Sequence, residues 1–218
     1  MARLIEGLDV ERVRSNAERI SAEIADAADG REVELLAAVK YVRTEELPVL
    51  AQAGIHLVGE NRAQELQLKH AAHSALFEWD FIGQLQSRKV KEIVPYVRLI
   101  HSVASESALA ALERHLPLAK PGLQILIEVN IAAEPEKAGV APGELGEFIA
   151  RSPVPVTGLM AMPPLAEQPE QSRQWFAGLR ELAGEHSLQQ LSMGTSQDYV
   201  VAVEEGATIV RVGSSLYV

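Results

Sequence analysis

Six lysines occur in the 218 residues, and one of them, Lys40, stands directly behind the apolar run Leu35-Leu36-Ala37-Ala38-Val39. A lysine at the end of a buried strand reaches out to water, pairs with an acid, or is held for the chemistry of its neutral amine. Formation of a Schiff base with a carbonyl is the leading example, and burial favours the neutral amine that performs it. Much further along, the segments Leu191-Ser192-Met193-Gly194-Thr195-Ser196 and Arg211-Val212-Gly213-Ser214-Ser215 each follow or end an apolar run. Glycine there permits close approach of the backbone, N–H groups point outward, and serine hydroxyls add donors, which together suit a phosphate. The plainer reading is that Ser196 or Asp198 caps a helix over 199–205 and that Gly213 only turns the chain.

Other polar residues also stand at the ends of apolar runs: Glu60 and Asn61, Gln84, His101 and Ser102, and Asn130. Asn61 and Gln64 have the spacing of a capping box, so Asn61 has a structural role open to it as well. Met160 and Met162 flank Ala161 and can fill a core, floor a pocket or lie against a planar ring. The six histidines show no His-Glu-x-x-His spacing, and no glycine-rich dinucleotide or Walker-type loop is present. The absence of Cys removes disulfides, thiolate metal sites and cysteine nucleophiles. Residues 84–91 form a locally basic stretch that reads either as a solvated face or as a contact for an anion or partner.

The elements that must position these residues alternate. A helix is expected from Asp9, as N-cap, to about Ala28, stopped by Gly30. After it come eight short apolar runs: 35–39, 55–58, 81–82, 99–103, 124–130, 154–160, 188–191 and 208–212. Helical stretches are expected at 44–53, 85–94, 105–116, 142–150 and 199–205. Apolar strands alternating with helices imply a parallel α/β sheet, and eight such units close as a (β/α)8 TIM barrel with an extra N-terminal helix. An open doubly wound sheet is the competing arrangement. The length suits a single domain over 1–218, able to bury its own core. The net charge of −10 argues against a general nucleic-acid role, and no apolar stretch approaches membrane-spanning length, so the expected location is the cytoplasm.

Taken in order, the segments 35–40, Gly59-Glu60-Asn61, 81–90, 100–103, 129–131, Gly158-Leu159-Met160, 191–194 and 204–213 make the chain similar to the pyridoxal phosphate homeostasis protein family over nearly its whole length. The resemblance implies the barrel of alanine racemases without their additional β domain. It implies pyridoxal 5'-phosphate as cofactor, with Lys40 forming the Schiff base to its aldehyde. Ser192, Gly194, Gly213 and Ser214 would hold the phosphate, and Arg211 would face the pyridine nitrogen. Asn61, Met160 and the region of His101-Ser102 would line the ring. An arginine cannot accept a proton from that nitrogen, which weakens the electron sink that most amino-acid chemistry needs. The implied function is carriage of the cofactor in vitamin B6 homeostasis, with apo enzymes as recipients and weak racemase-like or lyase-like turnover as the alternative. Two positions depart from the family pattern: Asp80 stands where His commonly precedes Phe-Ile-Gly, and Tyr41-Val42-Arg43 follows Lys40 in place of a Thr-containing sequence.

Overall fold

The computed structural model describes residues 4–135 and 137–218; residues 1–3 and 136 of the domain expected over 1–218 lie outside the described residues. Eight strands run β1 (Glu34–Ala38), β2 (Leu57–Glu60), β3 (Glu78–Phe81), β4 (Leu99–Val103), β5 (Gln124–Glu128), β6 (Val156–Met160), β7 (Gln190–Thr195) and β8 (Ile209–Val212). All neighbouring pairs are parallel, and β1 pairs with β8 through Glu34–Ile209, Leu36–Arg211 and their neighbours. That seam closes the sheet in the order β1 to β8, so the barrel and not the open sheet is the architecture.

The described helices are α1 (Val10–Ala28), α2 (Leu47–Gln52), α3 (Ala63–His73), α4 (Val90–Ile93), α5 (Glu106–His115), α6 (Leu145–Ala150), α7 (Arg173–Glu185), α8 (Tyr199–Glu204) and α9 (Ser214–Tyr217). In α1 the Asp9 side chain accepts from Arg12 N, and Val13, Ala17, Ile20, Ile24 and Ala28 return every three or four residues on the buried face. The helix ends at Asp29 in the left-handed region. Asn16 Nδ2 of α1 donates to the carbonyls of Leu216 and Val218, tying the first helix to the last. None of the described helices is long and apolar enough to cross a membrane.

Two apolar layers result from the period-2 alternation of the strands. The outer one lies between strands and helices and includes Ile20, Leu47, Leu66, Trp79, Ile93 and Phe176. A smaller cluster of Leu36, Leu99, Leu126, Met160 and Ile209 packs separately and fills the barrel interior. β6 and β7 approach so closely that a Cβ at Gly158 would stand 1.9 Å from Gln190 O, which leaves glycine as the only residue that fits there.

The expected helix over 85–94 is shorter: a 3-10 turn at Ser87–Lys89 leads into the four residues of α4. Helix α3 was obscured because its buried face is Ala63, Leu66 and Lys69, so that a lysine occupies a position where the apolar period needs a hydrophobe.

Candidate cofactor site at the carboxyl rim

Parallel strands deliver the ends of all eight to one rim, where Lys40, Asn61, Asn130, Ser196 and Gly213 follow their strands and Ser102 stands one residue before the end of β4. The side chain of Lys40 is exposed, with Nζ 5.0 Å from the centroid of the Tyr41 ring. Of the readings open to a lysine at this strand end, the one in which it reaches out to water matches: the chain turns at Lys40-Tyr41 and sends both side chains to solvent. The buried lysine is Lys69 of α3. Its Nζ donates to Glu60 Oε2 at 2.5 Å and to the carbonyl of Val39 at 2.8 Å. Glu60 Oε1 in turn accepts from Asn61 N at 2.6 Å, and Tyr217 OH of α9 donates to the carbonyl of Ala38 at 3.2 Å. Both carbonyls preceding Lys40 are thus held by side chains from surrounding helices. Burial, with the Glu60 carboxylate nearby, raises the Tyr217 phenol pKa and keeps it a donor.

Asn61 is not the cap its spacing suggested. α3 starts at Ala63 with Arg62 at its N-cap position and no side-chain cap, while Asn61 Oδ1 is buried at the rim without a hydrogen-bond partner. An unfilled buried acceptor is costly, so it marks a place where a ligand donor gains. Met160 belongs to the interior cluster and forms a floor; Met162, two residues on, reaches the rim, with Sδ 2.9 Å from Arg211 Nη2.

Beneath the rim lies a line of buried polar groups. Arg211 donates through Nη2 to the carbonyl of Ala161 at 3.1 Å and through Nη1 to Ser192 Oγ at 2.5 Å. Ser192 Oγ is 2.8 Å from His101 Nδ1, and His101 Nε2 is 3.1 Å from Asp80 Oδ2. Arg98 closes the line by donating to both Asp80 oxygens and to both oxygens of Glu34. Burial lowers the Arg211 pKa to about 10, partly offset by Glu128 and Asp198, which leaves it a cation at neutral pH. Burial also pulls His101 below its ordinary value; the pair with Asp80 opposes this and the positive Arg211 and Arg98 add to it. The Glu128 carboxyl is raised by desolvation, against the pull of Arg211 and Lys137.

Ser192, expected at the phosphate, is fully buried, and its oxygen is taken up by Arg211 and His101. The two glycine–serine segments do meet, through Ser196. Its Oγ accepts from Gly213 N at 3.0 Å and Ser215 N at 3.4 Å, and its carbonyl accepts from Ser215 Oγ. Ser214 is exposed as the first residue of α9. Gly194 shapes this corner, since φ is +88° and a Cβ there would lie 2.6 Å from Ala202 Cβ. Asp198 accepts from Thr195 N and Oγ1, and so braces the preceding loop; it makes no cap bond to α8.

Two grooves open on this rim. One of about 480 Å³ lies along Met162–Glu167 and Thr195, Gln197 and Asp198; another of about 330 Å³ is lined by Gln84, Glu128, Asn130, Lys137 and Met162. Arg98, Lys69 and Glu128 were missed in the sequence, and Asp80 was noted there only as a departure from the family pattern. The available signal was a charge set inside an apolar strand, as in Trp79-Asp80-Phe81-Ile82 and Ile125-Leu126-Ile127-Glu128-Val129.

The alanine racemase N-terminal domain family model matches residues 8–218. A pyridoxal phosphate homeostasis protein of Aquifex aeolicus is 40% identical over 219 residues, which cover 95% of this chain and 96% of that one. The chain belongs to the pyridoxal phosphate homeostasis protein family. A Pseudomonas aeruginosa member of that family is 36% identical over 94% of both chains. Among solved structures, PipY of Synechococcus elongatus with PLP (pyridoxal phosphate) bound superposes with a TM-score of 0.81 at 29% identity, over 94% of this chain and all of PipY. Alanine racemase of Bartonella henselae shares the fold at a TM-score of 0.72 and 15% identity; this chain is covered completely and the racemase over 61% of its length. This chain thus shares the racemase barrel, and a charged line runs through the middle of it.

Proposed function

We propose that this protein binds pyridoxal 5'-phosphate at the carboxyl rim, attached reversibly through Lys40, and carries it in the cytoplasm for vitamin B6 homeostasis, with apo enzymes as recipients. The observation that supports this most is the convergence on one rim of a primary amine, a buried guanidinium and the exposed Ser214 hydroxyl at the start of α9. That donor set fits an anionic, planar aldehyde, and the unpartnered Asn61 Oδ1 offers an acceptor beside it. When bound, the cofactor supplies an electrophilic aldehyde carbon and an electron-withdrawing ring.

The chain's own groups have separable tasks in this reading. Lys40 provides the nucleophilic nitrogen, on backbone held by Lys69 and Tyr217. Gly213, Ser214 and Ser196 form the phosphate corner, with Gly194 shaping it. Ser192 serves by supporting Arg211. Arg211 presents only donors and so keeps a ring nitrogen unprotonated, which disfavours carbanion chemistry and suits carriage over turnover. Met160 floors the pocket and Asn61 lines its side.

The test is a titration of the purified protein with pyridoxal phosphate followed in the visible spectrum, then borohydride reduction and peptide mapping. A new absorption band and a label confined to Lys40 are expected, with no label in Lys40→Ala. A label on another lysine, or none, would sink the assignment. Amino acids incubated with the loaded protein in deuterium oxide are expected to keep their α-proton; exchange would favour a racemase-like enzyme instead.

A further inference from the structure

The hydrogen-bond partners along the line beneath Arg211 assign its protons. Asp80 can only accept, so His101 Nε2 carries the ring proton and Nδ1 is the lone-pair nitrogen. His101 Nδ1 therefore accepts from Ser192, whose hydroxyl proton is committed to it at 2.8 Å. A lone pair of Ser192 Oγ is then turned toward Arg211 Nη1, 2.5 Å away. With the other tautomer, the bare Nε2 would face a carboxylate oxygen, and Ser192 would receive two donors with no acceptor left for its own proton. Asp80 is itself fixed from the opposite side by Arg98, which donates Nε to Oδ1 at 2.9 Å and Nη2 to Oδ2 at 3.2 Å and is clamped by Glu34. Arg98 precedes β4 and Glu34 opens β1, so the line starts at the amino end of the barrel and finishes at the rim.

The order Asp–His–Ser is that of a hydrolase triad, but Ser192 is fully buried and its oxygen is occupied by a guanidinium, so no acyl group can reach it. We propose instead that Asp80 and His101 are positioning residues for Arg211: together they set the Ser192 rotor that holds the guanidinium in one orientation toward the cofactor ring. Asp80, the residue that departs from the family pattern, is the one that makes the arrangement directional. The inference rests on the reading that Arg211 faces the ring nitrogen.

Two measurements separate this from a merely structural role. In the apo protein, ring 15N shifts of His101 are expected to show a protonated Nε2 and a bare Nδ1, and D80N is expected to lose that single tautomer. Wild-type protein with the proton on Nδ1 overturns the inference whatever the cofactor does. In the second, cofactor affinity and the bound absorption maximum are measured for wild type, D80N, S192A, R211Q and both double variants with R211Q. D80N and S192A are each expected to weaken binding roughly tenfold and shift the band, and to have no further effect once Arg211 is gone. Equal losses with and without Arg211 would assign the line to barrel integrity alone, and S192A carries the test if D80N does not fold. Wild type that takes up no cofactor would sink the functional reading, while the tautomer result would still stand by itself.

Discussion

Lys40 and Lys69 divide position and burial between them. Lys40 has the position, at the end of an apolar run, and Lys69 has the burial, at 1% exposure on the inner face of α3. Strand ends are visible in a sequence because the apolar run stops. Burial of a helical lysine is not, because it depends on where Glu60 is brought by β2. The same holds for Asp80 and Arg98, 18 residues apart in sequence and paired only once β3 and β4 are side by side. Substitution should separate the two lysines. Lys69→Met leaves Glu60 a buried charge without its partner and is expected to cost about 3–5 kcal/mol in urea unfolding, with much of that recovered in K69M/E60Q. Lys40→Ala, at an exposed position, is expected to change stability by less than about 0.5 kcal/mol while abolishing covalent uptake of the cofactor. A large destabilisation by Lys40→Ala would mean that the lysine also braces the rim.

At the scale of elements, an apolar run touches each of the eight strands, because a parallel strand covered on both faces is largely hydrophobic; the runs at 81–82 and 188–191 catch only the end of β3 and the start of β7, where Asp80 and Ser192 interrupt the apolar pattern. Helices α1 and α5, with purely apolar buried faces, were legible. Among those missed are α3, whose buried face carries a lysine, and α7, although its buried face of Phe176, Leu179, Leu182 and Ala183 is apolar; α4 was overdrawn where a 3-10 turn replaced the first half. Caps follow the same logic. Asp9 and Ser105 accept the N–H groups of Arg12 and Ala108, whereas Asn61 and Asp198 were drawn into other bonds or left open. Asp9→Ala is therefore expected to cost about 1 kcal/mol, read as a shift in urea midpoint without a change in slope. Gly194→Ala meets both a left-handed backbone and the Ala202 methyl. It should destabilise the protein by at least about 1–3 kcal/mol, and hydrogen exchange should show the loss concentrated in the corner of β7 and α8. An unchanged exchange pattern there would remove the steric account.

The molecule as a whole carries a pH signature set by the buried His101 and the half-buried His70. Burial lowers both His101 and His70 from the ordinary value of 6.5. Below that value the unfolded chain takes up protons that the folded chain refuses. Stability from these groups is therefore fully present above 6.5 and is lost as the pH falls toward the folded values. Glu128 acts in the opposite sense: its raised pKa contributes stability at low pH that disappears as the pH rises through the folded value. Measured in an E128Q background, the urea midpoint is expected to fall between about pH 7.5 and pH 5.5, and H70Q should remove part of that fall. A flat profile would mean that neither imidazole stays neutral in the fold.

The seam that joins Glu34 to Ile209 also has a meaning in time. Every other strand pair joins consecutive strands, so seven pairings can form by local steps and one must wait for nearly the whole described chain. Until it forms, β1 and β8 present raw edges to any other unfinished sheet, and copies of the chain at this stage can pair with one another as readily as with themselves. Refolding yield should consequently drop with protein concentration long before the finished barrel, which has no edge to offer, shows any tendency to associate through its strands.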